Sequence, residues 1–149
     1  MGSVTESVEV AVPVRTAYRQ WTQFKEFPQF MEGVTEVREL SETLTHWVTD
    51  IGGVHREFDA MLVEQVPNER LAWTTIEGVK QAGLVTFHQL DDEHSRVTAQ
   101  MDFEPEGVAE HAADTLGLLR RTVKDNLDRF RDFVEKRDHT TDGWQGYQP

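Results

Sequence analysis

Six histidines are the groups in this chain best placed to move a proton near neutral pH or to ligate a metal: His46, His55, His88, His94, His111 and His139. Their spacing supports neither use. They fall on separate segments with no HExxH and no pair at i, i+4, so no metal-binding helix can be drawn through them, and they read as structural or exposed groups. No metal and no cofactor is expected. Ser3, Ser7, Ser41 and Ser95 lie in strand or turn contexts rather than at a nucleophile elbow. The absence of cysteine removes a thiol nucleophile, a disulfide framework and a cysteine-held metal. GxGxxG and P-loop patterns are missing, which argues against a nucleotide cofactor. What remains are polar groups set inside apolar runs: Trp47 and Thr49 in HWVTDI, Trp73 and Thr75 in LAWTTI, and Arg56 beside Phe58. A buried hydroxyl or indole N–H needs a partner, and a ligand oxygen competes for that place with a backbone carbonyl or water. Arg56 either reaches inward or is a solvated or salt-bridged cation near a strand start.

The elements that must hold these groups follow from periodicity. Val4, Val8, Val10 and Val12 share one parity, which predicts a strand over 3–12 with one buried face. Pro13 ends it and suits a helix first turn; Val14, Ala17, Tyr18, Trp21 and Phe24 follow at helical spacing, predicting a helix over 14–23. KEFPQFM sets Phe27, Phe30 and Met31 around Pro28, which suits a second short helix begun by that proline. Strands are expected at 34–40, 44–51, 54–66, 70–77, 80–90 and 95–104, broken by turn residues such as Gly52-Gly53, Pro67-Asn68-Glu69 and Asp91-Asp92-Glu93. Along the third of these, Glu57 and Asp59 alternate with Arg56 and Phe58, so one parity faces water. A long helix over 108–136 closes the order, with Ala112, Leu116, Leu119, Val123, Leu127, Phe130 and Val134 as its apolar stripe. Leu118, beside that stripe, is a weak hint of a dimer contact, so monomer and homodimer both stay open.

That order describes a container. Six or seven antiparallel strands make a sheet roughly 30 Å wide, whereas one helix covers only about 10–12 Å of it. A hollow between a curved seven-stranded sheet and the long C-terminal helix is the expected result, and an apolar small molecule is the expected guest. Its wall is read as Trp47, Thr49, Phe58, Ala60, Trp73, Thr75, Val85, Phe87, Met101 and Phe103, with Tyr18, Phe27, Phe30 and Leu116 at the mouth; strand parity alone marks each of these equally as core. With 149 residues the chain reads as one domain over 1–137 and a polar tail over 138–149. Its 15 basic against 27 acidic residues, a formal charge of -12, argue against nucleic acid as a partner. No signal-peptide pattern opens the chain and no window suits a membrane span, so a soluble cytoplasmic protein is expected.

The order βααββββββα, with HWVTDIGG at 46–53, PNERLAWTTIEG at 67–78, GLVTFH at 83–88, DFEPEG at 102–107 and the GWQG of the tail, resembles the polyketide cyclase/dehydrase and lipid-transport branch of the START-like SRPBCC superfamily over about residues 3–146. The resemblance implies an α+β helix-grip fold and an apolar cavity, with ligands such as polyketides, lipids, quinones or hormones depending on the member; a polyketide-, lipid- or isoprenoid-like molecule is the expected ligand here. It does not imply one reaction. The aromatase/cyclases of that branch carry a Trp-x-Ser-x-Arg pattern whose arginine polarises or protonates the polyketide. Trp47 matches it, Thr49 keeps the hydroxyl, and Ile51 stands at the arginine position, where it can neither donate nor titrate. Binding of a hydrophobic small molecule is therefore the leading expectation. A cyclase/dehydratase acting on a poly-β-keto substrate, with Thr49 and Arg56 as its catalytic candidates, is the alternative, so whether the chain is an enzyme stays open.

Overall fold

The computed structural model describes residues 2–31, 33–51, 53–77, 81–103 and 112–145, with side chains for the same residues except 2, 51, 54, 77, 103, 112–116 and 138–145. The chain runs β1 (Gly2–Val10), α1 (Val14–Trp21), a 3-10 helix (Phe24–Gln29), β2 (Val34–Glu39), β3 (Leu44–Ile51), β4 (Val54–Val66), β5 (Arg70–Glu77), β6 (Gln81–Asp91), β7 (His94–Phe103) and α2 (Ala112–Gln145). All seven strands form one curled antiparallel sheet in the order β1-β7-β6-β5-β4-β3-β2. Each strand after β1 therefore lies beside its chain neighbour, and β1 closes the far side against β7.

The expected turn residues make these hairpins. Ile51 pairs directly with Val54, leaving a two-residue connection in which Gly53 takes φ 81°, a conformation open to glycine. Asn68, at φ 66°, does the same work between β4 and β5. The edge strand β2 carries Glu36, Arg38 and Glu39 exposed around one buried residue, Val37, a charge pattern that discourages pairing with another chain.

Two expectations about the helices need correction. Pro28 lies inside the 3-10 helix near its end rather than opening it. The helix is built from i to i+3 bonds that the proline does not have to donate, among them Glu26 N–H to the Gln23 carbonyl at 3.0 Å and Phe30 N–H to the Phe27 carbonyl at 3.1 Å. The final helix, described from Ala112, runs on to Gln145 rather than stopping at 136; the predicted start at 108 lies outside the described residues. No proline interrupts 137–145, and Gly143 costs the helix only about 1 kcal/mol.

An aromatic cluster welds the two short helices to the sheet and to α2. Trp21 meets Phe130 edge-on at 4.8 Å, Phe27 at 5.6 Å and Phe87 at 6.4 Å, while Phe30 stacks on Phe133 at 4.8 Å. Leu127, Phe130 and Val134 of α2 are fully buried against it. Side chains distant in sequence hold the start of α1 and the residues just before it. Pro13 offers no capping side chain, so Gln89 of β6 accepts the Val14 N–H at 2.8 Å. Glu135 of α2 accepts the Ala11 N–H at 2.7 Å, and the buried Ser95 donates to the Val12 carbonyl at 2.9 Å. Arg137 then clips α2 to the 3-10 helix through Glu26, whose carboxyl is held below its ordinary range by hydrogen bonds from Gln20 and Arg137.

On the outer face His46 stands between two carboxylates of β4. Its Nδ1 lies 2.6 Å from Asp59 and its Nε2 3.1 Å from Glu57. Carboxylates only accept, so the ring uses a proton on both nitrogens, and the Asp59 bond first, then that to Glu57, raises its pKa. His55 also reaches Glu57, at 3.2 Å. A raised folded pKa means the stabilisation is complete below the unfolded value of about 6.5 and fades as pH climbs through the folded value. Urea denaturation of wild type and His46→Ala should therefore show a wild-type advantage at about pH 6 that shrinks by about pH 9; an advantage that grows with pH would reject the assignment.

Candidate functional site

Register defines which side chains look inward. Val4, Val8 and Val10 of β1 are buried, and α2 packs along this strand. Their partners across the sheet are Met101, Val97 and Ser95 of β7, and the same face runs from Met101, Ala99 and Val97 to Gly83, Val85 and Phe87 of β6, then to Trp73 and Leu71 of β5. It continues through Leu62, Ala60, Phe58 and Arg56 of β4 to Trp47 and Thr49 of β3. Nearly every described residue expected in the wall is on this one face.

The helices pack at its two sides rather than over its middle. α2 lies closest to β1, α1 to β6 and β7, and the 3-10 helix to β2. Burial follows that division. Leu71, Val85, Phe87, Val97 and Ala99 are sealed, whereas Trp47, Phe58, Leu62, Trp73 and Met101, large apolar side chains on the same rows, stay half-buried. Trp47, Leu62 and Trp73 pack against the sealed cluster with one part and meet water with the rest. Tyr18, Phe27 and Phe30, expected at the mouth, belong instead to the sealed cluster with Phe87. Sheet parity names a face but not how far along it the helices reach. Phe103 and Leu116 lie outside the described side chains.

Aromatic groups shape the half-buried region. Trp47 lies parallel to its cross-strand partner Phe58, 6.3 Å away, with Phe27 at 5.4 Å and Phe24 at 6.4 Å on its other sides. Trp73 spreads over Gly83: a Cβ placed on that glycine would fall 2.1 Å from the Trp73 Cζ2 atom. Leu62 and Gly83 are absent from the sequence-based wall. Leu62 was legible by its parity with Phe58 and Ala60, and a glycine inside a strand signals close approach, here by an indole.

Most polar groups of the wall are satisfied by the protein. The Trp47 indole donates to the Thr45 hydroxyl at 2.7 Å, which in turn donates to the Ala60 carbonyl at 3.2 Å. The Thr75 hydroxyl closes the β5–β6 hairpin, donating to the Gln81 carbonyl at 3.2 Å and accepting from its N–H at 3.0 Å. Thr49 is buried. Opposite it on the inward row stands Arg56, exposed and diagonal to Ile51. Among the described residues no three histidine, aspartate or glutamate side chains converge to hold a metal ion, and no helix is long and apolar enough to cross a membrane.

A curled seven-stranded antiparallel sheet that grips one long C-terminal helix defines the START-like helix-grip fold, and two solved structures superpose on it: the ZhuI aromatase/cyclase from Streptomyces sp. R1128 (TM-score 0.79, 15% identity, 92% of this chain and 95% of that one) and a START superfamily protein from Mycobacterium smegmatis (0.65, 15%, 85% and 97%). A family model for polyketide cyclase / dehydrase and lipid transport matches residues 10–131, and the chain belongs to that family. It is also 56% identical, over 98% of both chains, to an uncharacterized 17.2 kDa protein of the melC2-rnhH intergenic region of Streptomyces lincolnensis.

The Trp73 over Gly83 contact generates a direct test. Gly83→Ala forces the indole off the sheet, so stability should fall by about 1–3 kcal/mol with a change in tryptophan emission; an unchanged urea midpoint and spectrum would show that the ring does not lie there.

Proposed function

We propose that this protein binds a flat, largely apolar small molecule on the inner face of the sheet, against Trp47, Phe58, Trp73 and Met101. The observation that carries this reading is the division within one face: the residues under the helices are sealed, and equally apolar residues between them are not. Keeping large aromatic side chains half-wet forgoes roughly 25 cal/mol for each Å² left exposed, and a guest that covers them recovers it. Family membership supports the same reading, because the family's description joins polyketide chemistry with lipid transport. A polyketide-, lipid- or isoprenoid-like ligand fits a wall of this composition, and Phe103 and Leu116 extend it in this proposal. Titration with fused-ring aromatic compounds should quench tryptophan emission saturably, and Phe58→Ala should weaken binding about tenfold. Absence of saturable quenching by any of them would end the proposal.

Arg56 favours a second reading. Its position on the inward row, diagonal to Ile51 and opposite Thr49, gives the face a cation that could polarise a carbonyl of a folded poly-β-keto chain, with the wall supplying the positioning. In this cyclase/dehydratase reading Thr49 and Arg56 act on the substrate. With a poly-β-keto mimic, wild type should change the product pattern relative to buffer and Arg56→Ala or Thr49→Ala should reduce that change; identical products with and without protein would leave binding alone.

A further inference from the structure

Three consecutive rungs of the β3–β4 ladder are tied by side chains on alternating faces of the sheet. Thr45 is bound to the Ala60 carbonyl on the inner face, His46 to Asp59 on the outer face, and Trp47 lies parallel to Phe58 on the inner face again. The outer tie therefore stands directly behind the aromatic pair, one residue along each strand. It also stands at an irregular place, because the register of β4 with β5 shifts between Asp59 and Ala60, where a ladder is locally disrupted. Of the three ties the outer one alone carries titratable groups. The His46 side chain, 19% exposed, spans Asp59 and Glu57 through its two nitrogens. A neutral imidazole has one N–H, so loss of a proton leaves one carboxylate facing a ring lone pair at hydrogen-bond distance, and that carboxylate must turn away. Other charges face the ring. Arg38 of β2 is its register partner and is itself held by Glu36 at 3.4 Å. His55 of β4 shares Glu57, and Asp50 of β3 is paired in register with His55. Glu77 of β5 is paired in register with Asp59, its side chain lying outside the described residues. The bonds to Asp59 and then Glu57 raise the His46 pKa, and Arg38 acts the other way without cancelling them.

We propose that His46 is a proton-operated clamp on the binding wall: protonated on both nitrogens it draws in Asp59 and Glu57 and holds Phe58 flat on Trp47, and on giving one proton to solvent it lets the two rings part. This rests on the binding reading above and adds regulation to it, since a guest that lies against Trp47 and Phe58 then binds less tightly as pH rises. The direction follows from the groups involved. A histidine stabilised in its charged form keeps the clamp closed below its ordinary value of about 6.5 and opens it as pH climbs through the higher folded value.

Nuclear magnetic resonance between about pH 5.5 and 9 tests the clamp in wild type, His46→Gln and His55→Gln. The ring protons of His46 give its midpoint, and the nuclear Overhauser effects between the Trp47 and Phe58 rings report the stack. In wild type these effects should weaken across the His46 midpoint. They should do the same in His55→Gln, whose clamp is intact, and show no step in His46→Gln, which cannot titrate. A merely structural His46 would lower the urea midpoint on substitution and leave the ring contacts independent of pH. A His46 midpoint below about 6.5, ring contacts that ignore it, or a step that persists in His46→Gln overturns the proposal. Binding is read with 9-anthracenemethanol, which has no group that titrates in this range. Its dissociation constant should rise about threefold across the midpoint in wild type, the scale a partly exposed ion pair can transmit, and stay flat in His46→Gln. Binding to wild type that is independent of pH sinks the clamp and leaves the binding reading standing. If the probe binds at no pH, the binding reading falls and the gating with it.

Discussion

One helix cannot desolvate seven strands. A rod about 10–12 Å across, laid on a sheet about three times as wide, leaves the chain a choice about where to concentrate its apolar mass. Here that mass is gathered at one side, where Trp21, Phe27, Phe30, Phe87 and Phe130 interlock and α2 buries Leu127 and Val134. Everything distinctive about the remaining surface follows from that asymmetry. Once the clustered end holds the helices, the middle strands carry Trp47, Phe58 and Trp73 with only partial cover.

Much of the architecture was readable from residue order, because period-two alternation and two-residue glycine turns are local and strong. Strands 44–51, 54–66 and 70–77 have the bounds their alternation predicts. Helix limits were less legible. Pro28 was read as an initiator because that is its commonest helical role, yet a 3-10 helix this short accepts it within. Nothing local in 137–145 announced that the last helix would continue. Within the site, parity correctly gathered Thr49, Phe58, Trp73, Val85 and Met101 on one face. It could not separate Phe87, packed under α1, from Met101, left half-covered, since that distinction depends on where distant helices come to rest.

Polar bookkeeping separates the wall into two kinds of group. Trp47 and Thr75 looked in sequence like handles for a ligand, but their hydrogen bonds stay within the protein and rigidify β3 and the β5–β6 hairpin. Tyr18 is read in the sequence as one of four residues at the mouth, for its ring rather than for its hydroxyl. Only the absence of an acceptor around a phenol sealed from water distinguishes it.

The fastening of α2 is uneven along its length. Toward Arg137 it is secured by buried rings, by the Glu135 bond to Ala11 and by the clip to Glu26. Nearer its start the described ties are exposed and loose: Arg120 to Glu6 at 3.8 Å and Lys124 to the Ser7 carbonyl at 3.4 Å, contacts of a kind worth little in water. Among the described residues, the ties of the Arg120 end are therefore the ones that added salt weakens first, while the rings around Phe130 are indifferent to it.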